Sequence, residues 1–499
     1  MNLSTAQSAK RSKEVGIRKV LGSVKYQLVK QFFGEAILYV LIAGLAALML
    51  VVAFIYPFND LSGKRLTLES LATTKFILYF IGLLALTALF AGSYPAFYLT
   101  SFKPVSVLKG KLARTSFGNL LLRNGMVVFQ FTISTALIIC TIIVFQQLQF
   151  TRSTDLGLNK ENTIIISHSN RLGAKEETFR EEITNFPEIE KASIASSLPG
   201  KFLFGDSYFP EAGGPDPVAK DIGLISFIVD DEYVPTLQLK ILKGRTFSKE
   251  FNDSASVIIN ETAVREIGWK DPIGQYMVYP GGNNQRFKVI GVVKDFNYQS
   301  LHNPILPFAF FHRSSKTYDL GLTYIVARVK PGNIRTTVDK LQAKWKSFVS
   351  DAPFDYSFLD EELNAMYKSD VRMGSVFSVF TLLSILVACL GLFGLAMYTA
   401  ERRIKEIGVR KVLGASVHGL VGLLSRDFIK LVLIAAVIAF PVAWWSMNKW
   451  LEAFVYRIQI EWWVFLIAAL VAIVIALATI SFQSVKAAMM NPVKSLRAE

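Results

Sequence analysis

The chain has 499 residues, of which 52% are hydrophobic and 19% charged, with a mean hydropathy of +0.38. A soluble chain would carry about a quarter charged residues, so part of the apolar content needs a solvent other than water. Two cysteines exclude a disulfide-built secreted scaffold, four histidines argue against a His-rich metal site, and a net charge of +15 leaves two classes of partner, nucleic acid or a membrane surface.

In chain order, six stretches of about twenty residues lack almost all ionisable side chains: 36–57, 76–98, 125–146, 374–399, 428–447 and 462–483. Each is long enough to cross a hydrocarbon core of about 30 Å as a helix, which predicts six transmembrane spans. Trp444, Trp445, Trp450, Trp462 and Trp463 crowd the junction of the last two, as an interfacial aromatic belt would. Segments 1–35, 99–124, 400–426 and 484–499 together hold 21 basic and 5 acidic residues, whereas 58–75, 147–372 and 448–461 hold 32 and 33. Short basic loops stay cytoplasmic, so the expected topology has both termini inside and 147–372 outside. The cations are spread along juxtamembrane loops, which fits retention and lipid headgroups and argues against nucleic acid.

The same motif occurs twice. Residues 13–22 read KEVGIRKVLG and residues 405–414 read KEIGVRKVLG, an offset of 392; downstream, Lys103-Pro104-Val105 with Leu108 matches Asn491-Pro492-Val493 with Leu496 at an offset of 388. This is a parallel internal duplication, both copies facing the same side. At the first offset Met1 falls opposite Phe393, inside the fourth span, and the first copy has no counterpart of the 125–146 span or of the segment after it. The alignment predicts an N-terminally shortened form of a longer, two-copy, eight-span protein.

On KEVGIRKVLG and KEIGVRKVLG, followed by spans and Pro-Val-x-x-Leu tails, the sequence resembles the FtsX/MacB-like permease family of ABC transporters. Gly244-Arg245-Thr246-Phe247, Val257 to Ala263 (VIINETA), Asp271-Pro272-Ile273-Gly274 and Val289 to Phe296 (VIGVVKDF) are similar to that family's periplasmic core domain. The implied architecture is a polytopic α-helical membrane protein with one α+β extracytoplasmic domain of periplasmic core type. It comprises a basic segment 1–35, two spans in 36–110, a linker 111–124, span and stalk 125–150, the α+β domain 151–372, and a second unit 373–499 with three spans and a motif at 402–416.

The resemblance also implies that the stretch after Thr399 is a coupling helix docking into a cytoplasmic ABC ATPase. The residues are compatible: Arg402, Arg403, Lys405, Arg410 and Lys411 give a cationic face, Ile404, Ile407, Val409, Val412 and Leu413 an apolar one, and Gly414 can end the helix. Isolated cations here need only be solvated beside headgroups. Charge retention requires no fixed order, however, and Glu14, Gly16, Arg18 and Lys19 recur in order as Glu406, Gly408, Arg410 and Lys411. These eight are the expected docking residues for the ATPase.

No G-x-x-x-x-G-K-[ST] loop occurs in the sequence, and the span centres carry no Asp, Glu, Lys, Arg or His for a coupling ion. Gln130 is polar but suits a helix–helix hydrogen bond. By elimination, energy would arrive from a partner. In 151–372, strands are expected at 163–167, 224–229, 256–259, 287–293 and 322–329, and helices at 175–185, 261–267 and 336–349. Residues 200–217, rich in Gly, Pro and Asp, read as a loop or a mobile subdomain boundary. His168, His302 and His312 come with no H-E-x-x-H, G-x-S-x-G or Cys-His pattern. Asp295 suits a turn cap, Asp360, Glu361 and Glu362 the solvated start of the helix entering the membrane, and Cys140 and Cys389 small packing positions. No catalytic, cofactor or metal residue is assigned. The leading expectation is a non-enzymatic permease subunit in the bilayer, as a homodimer or with a full-length permease, relaying an ATPase stroke to cargo handled outside. Two alternatives stay open: an ATP-independent sensor or scaffold for an envelope ligand, and a secondary transporter.

Overall fold

The computed structural model describes all residues except 1–17, 20, 22, 101–116, 202, 212–220, 282–283, 316–322, 403 and 490–499. They divide into a helical unit within 1–147, 370–451 and 458–499, and an α+β unit of 148–369 and 452–457.

Helix α1 (Lys25–Ser62) packs along α2 (Thr74–Thr100). Gly92 of α2 sits against Phe33 and Ala36, and Gly44 of α1 against Leu84 and Phe80, so the small residues let the two backbones approach closely. Gly63 ends α1 in the left-handed region (φ 67°), its N–H donating to the Asn59 carbonyl at 2.8 Å. The Arg372 guanidinium occupies the space that a Cβ there would need, placing a cation at the negative end of the helix dipole. Helix α3 (Phe117–Ser153) then leads from the helical unit into the α+β unit.

The α+β unit holds β1 (Thr163–Ser167), α4 (Glu176–Thr184), β2 (Ile189–Ala195), β3 (Phe204–Pro210), β4 (Ile222–Val229), β5 (Ile241–Gly244), β6 (Ser256–Asn260) and α5 (Glu261–Ile267). There follow β7 (Tyr276–Tyr279), β8 (Gln285–Val293), β9 (Phe308–His312), β10 (Tyr324–Val329), α6 (Ile334–Phe348), β11 (Tyr356–Phe358) and α7 (Leu359–Ala365). The strands form two lobes. In one, the order β11-β1-β10-β2 makes an antiparallel sheet with α4 and α6 on one face, where Ile164, Ile325, Phe179, Leu341 and Trp345 are fully buried. In the other, β4-β3-β7-β8-β6-β9 closes into a ring, because β9 returns to pair in parallel with β4 over five registers. Its inward side chains, among them Tyr208, Leu224, Val257, Met277, Phe287 and Phe311, form one core with Ala263 and Ile267 of α5.

The lobes join through the Ala195–Val229 pair and a second core on the outer face of the ring, rich in aromatics such as Phe227, Phe296, Tyr298, Phe308 and Phe310. Arg328, 3% exposed, donates to the carbonyls of Thr236 (2.6 Å), Asn159 (2.8 Å) and Glu161 (3.3 Å). Three acceptors offset much of the cost of burying that charge.

The chain returns to the helical unit through α8 (Lys368–Arg402), followed by α9 (Ile404–Val412), α10 (Val417–Leu451) and α11 (Trp462–Met489). Helices α3, α8, α10 and α11 share one core, in which Val127, Phe131, Leu392, Phe428, Ala435 and Ala476 are buried. Hydroxyls fasten it: Ser134 to Ser384 at 2.8 Å, Thr141 to Thr381 at 2.9 Å, and Thr132 Oγ1 to the Ala435 carbonyl at 3.3 Å. Such bonds between spans are each worth about 0.6–2 kcal/mol. Among the described residues, six helices are long and apolar enough to cross a membrane, and their full lengths contain the six expected stretches.

The duplication is visible in burial. Leu28, Val40, Gly44 and Ile55 of α1 are buried, and so are Leu420, Val432, Ala436 and Met447 of α10 at the offset of 392.

Two expectations need correction. Residues 200–217 are not all loop: Phe204–Pro210 is β3, paired with β4 over five registers, and 212–217 lie outside the described residues. Asp360, Glu361 and Glu362 do not begin the membrane helix; they form the first turn of the separate α7, favoured there by its dipole, with Glu362 paired to Lys201 at 2.6 Å.

Candidate functional site

The second basic motif folds as α9, held between two long helices. Glu406 stands in its first turn and Arg410 and Lys411 in its last, the arrangement that complements the helix dipole. Glu406 and Arg410 pair at 2.8 Å across one turn, both 44% exposed, so the pair contributes a few tenths of a kcal/mol, about 0.3–0.5. Its worth lies in presenting a fixed charge pattern on a stiff rod.

How α9 stops is specific. Gly414 adopts φ 87°, its N–H donates to the Lys411 carbonyl at 3.1 Å, and the Ala415 N–H reaches back to the Arg410 carbonyl at 2.9 Å. This Schellman pattern satisfies the last carbonyls and turns the chain sharply. Ser416 then opens α10, its Oγ accepting from the Gly419 N–H at 3.2 Å. Val409, Val412 and Leu413 are 48%, 65% and 79% exposed, so among the described side chains these three apolar ones at the end of α9 stand open.

The first motif is described at Arg18, Lys19 and Leu21; Glu14 and Gly16 lie outside the described residues. The Ser23 N–H donates to the Arg18 carbonyl at 2.9 Å, the same bond as Ala415 to Arg410, displaced by the repeat offset. The side chains differ. Arg18 donates to Gln31 Oε1 at 2.9 Å and Gln31 donates on to Glu35 at 3.1 Å, a ladder whose counterparts in the second copy are Leu423 and Asp427. Burial, and then the nearby Lys25, hold Lys19 below the usual lysine range. Gly408 is helical; Arg402, Lys405, Ile407 and Gly408 are described by backbone alone. The structure thus gives both motifs the same backbone bond, and keeps Arg410 and Lys411 on one helix with Glu406.

In the α+β unit the four similar segments gather around β8. β5 and β6 pair with it, and the Gly274 N–H donates to the Val289 carbonyl at 2.8 Å. Gly244 (φ 74°) and Gly291 let two backbones meet: a Cβ on Gly244 would overlap the Ile290 carbonyl, and one on Gly291 the Arg245 carbonyl. Arg245 grips Asp253 through both terminal nitrogens, at 2.8 and 2.7 Å. Asp295 accepts from Asn260 Nδ2 (2.7 Å), Thr262 N–H (3.1 Å) and Thr262 Oγ1 (2.7 Å), while its own N–H donates to Glu261 (3.0 Å). It ties the end of β8 to the start of α5. These segments are determinants of folding.

The histidines are dispersed. His168 faces Asp355 at 3.5 Å on the surface. His312 lies 3.4 Å from Asp231, and its Nδ1 takes both the Ser314 hydroxyl (2.6 Å) and the Ser314 N–H (3.3 Å), which closes a local turn. His302 contacts 453–454, a segment that sequence reasoning had treated only as a connection between spans. The aromatic at Phe454 amid 452–457, between two interfacial tryptophan groups, was the available signal.

Comparison with known proteins follows these divisions. A family profile described as FtsX-like permease C-terminal matches residues 1–104 and 378–492, and one described as MacB-like periplasmic core domain matches 128–344. A macrolide export ATP-binding/permease protein MacB from Bdellovibrio bacteriovorus is 28% identical over 109 residues, covering 22% of this chain and 16% of that protein. Among solved structures, the periplasmic region of MacB from Actinobacillus actinomycetemcomitans aligns at 17% identity and a TM-score of 0.31, covering 42% of this chain and 95% of that one. The extracellular domain of the noncanonic ABC-type transporter YknZ aligns at 13% and 0.29, covering 40% and 99%. With the two profiles between them matching both helical segments and the α+β unit, the chain belongs to the FtsX/MacB-like permease family of ABC transporters.

Proposed function

We propose that this chain is a permease subunit driven by a separate cytoplasmic ABC ATPase, with its termini in the cytoplasm and the α+β unit outside. The eight motif residues Glu14, Gly16, Arg18, Lys19, Glu406, Gly408, Arg410 and Lys411 dock the ATPase. The recurrence of one backbone bond, Ser23 to Arg18 and Ala415 to Arg410, is the observation that carries this reading. In the second copy the turn joins a charged rod to a long apolar helix, so a push on the rod becomes a movement of the span. ATP closure in the partner then moves both copies, and the α+β unit relays the stroke to cargo handled outside the membrane: a peptide, a lipid-linked protein or an antibiotic. The chain acts as a homodimer or beside a full-length permease.

The test is co-purification with an ATPase whose activity this chain stimulates. Arg410→Glu with Lys411→Glu is expected to weaken association at least tenfold and to abolish stimulation. Unaltered association and stimulation would overturn the docking assignment.

A further inference from the structure

Residues Glu452–Arg457 connect α10 to α11, yet by their contacts they belong to the α+β unit. Phe454 is 2% exposed and stacks on the imidazole of His302, ring centroids 3.9 Å apart and planes at 29°. The same imidazole lies against the Tyr367 ring, at 6.4 Å and 28°. His302 Nδ1 is 3.0 Å from the Ala453 carbonyl; a carbonyl only accepts, so Nδ1 carries the proton. The Tyr456 N–H donates to the Leu301 carbonyl at 3.3 Å, and the Leu301 N–H donates to Tyr367 Oη at 2.8 Å. Leu301 is fully buried in the core that also holds Phe296, Tyr298 and Phe308. On the return side, the Ile458 N–H is bound by the fully buried Gln147 of α3 at 3.0 Å.

Resting on the reading of the chain as a driven permease, we infer that this strap is a transmission element: His302, Phe454 and Tyr456 are positioning residues through which α10 and α11 move the α+β unit. Its geometry leaves little slack. From Leu451, the last residue of α10, to Phe454 is three residues, a reach of at most about 11 Å, and from Tyr456 to Ile458 is two, about 7 Å. A helix end that shifts by several ångströms therefore either carries 301–302 with it or breaks the dock. What it pulls on is a stiff target. The Leu301 backbone is bonded on both sides, and Tyr367 stands immediately before α8, so the strap and the root of α8 converge on one loop.

The experiment uses the full chain assembled with its ATPase in lipid nanodiscs, reading amide hydrogen exchange with and without ATP. The expected result is an ATP-dependent change in exchange at 298–303 that Phe454→Ala reduces at least fivefold and Phe454→Tyr preserves. A purely structural role would raise exchange in both states and leave the difference between them intact. Phe454→Leu, which keeps the burial and loses the stacking, serves if the alanine variant fails to accumulate. Two results overturn the inference: an ATP-dependent difference in the strap variants equal to that of the unaltered chain, or no such difference in the unaltered chain. The docking reading is judged separately, by ATPase stimulation with the Arg410 and Lys411 variants, so the two fail distinguishably.

Discussion

Replacing Gly414 by alanine tests whether the capped turn sets the coupling rod. A Cβ at this position meets nothing within 4 Å, so no steric clash contributes and the cost is that of holding an L side chain at φ 87°. That is about 1–2 kcal/mol. If the chain relaxes instead, it gives up the bonds from residues 414 and 415 to Lys411 and Arg410, each worth about 0.5–1.5 kcal/mol net. Either route costs about 2 kcal/mol, roughly thirtyfold in the closed-to-open ratio of the turn. Helix α9 has nine residues, shorter than the ~12–15 needed for stability alone, so the cap is a large part of what holds it. Hydrogen exchange at residues 413–415 of the full chain is expected to accelerate at least tenfold, and stimulation of the partner ATPase to fall in parallel. Gly414→Asn, which tolerates the left-handed region, should lose only a fraction of this. Unchanged exchange and unchanged stimulation in Gly414→Ala would refute the reasoning.

Gly244→Ala is expected to separate β5 from β8, because the added methyl would overlap the Ile290 carbonyl and approach Ile273 Cδ1 within 2.9 Å; the cost is about 3 kcal/mol or more, read as a drop in the Tm of the purified chain. Asp295→Ala removes one carboxylate that accepts three hydrogen bonds and should destabilise by about 2–3 kcal/mol; an unchanged Tm would contradict the capping role. Burial pushes the Asp230 carboxyl up to about 6 from 3.8, against the opposing effect of its bonds from Ser193 and Ile194 and the charge of Arg180. A raised folded value means its contribution to stability is complete below pH 3.8 and is lost as pH rises through about 6, at most ~3 kcal/mol. Exchange at the Ile194 amide, corrected for intrinsic rate, should change with a midpoint near pH 6, and Arg180→Gln should move that midpoint upward; a flat profile would contradict the assignment.

The spans were legible because a bilayer imposes a length and an apolar content on every crossing, and α1, α3, α8 and α11 obey it without help from neighbours. In the α+β unit, β1 and α5 fall on the expected residues, 163–167 and 261–267. The signals there were local: a run of three isoleucines in β1, and the Asn260 cap of α5. What escaped was short or interrupted. β5 and β7 have four residues each, and β3 alternates but begins with Phe-Gly and ends in proline, which read as loop chemistry. β9, Phe308–His312, is an unbroken apolar run from Phe308 to Phe311, so no period of two marks it. Ring closure depends on β4 meeting β9 some eighty residues later, information that no local window holds. The motif order in 402–416 was readable, as was Gly414 as a helix stop. The different partners of Arg18 and Arg410 were not, since they depend on whether Gln31 or Leu423 stands on the following helix.

A strand ring that bites its own tail has little spare backbone to lend. Among the described residues, the sheet ends at β11, with three residues, and at β5, with four. An extended polypeptide seeking to lengthen this sheet by adding itself as one more rung would find only those short landings. Recognition of any guest by this unit is thereby steered toward side-chain surfaces and connecting loops, which can diverge in sequence while the ring beneath them stays fixed.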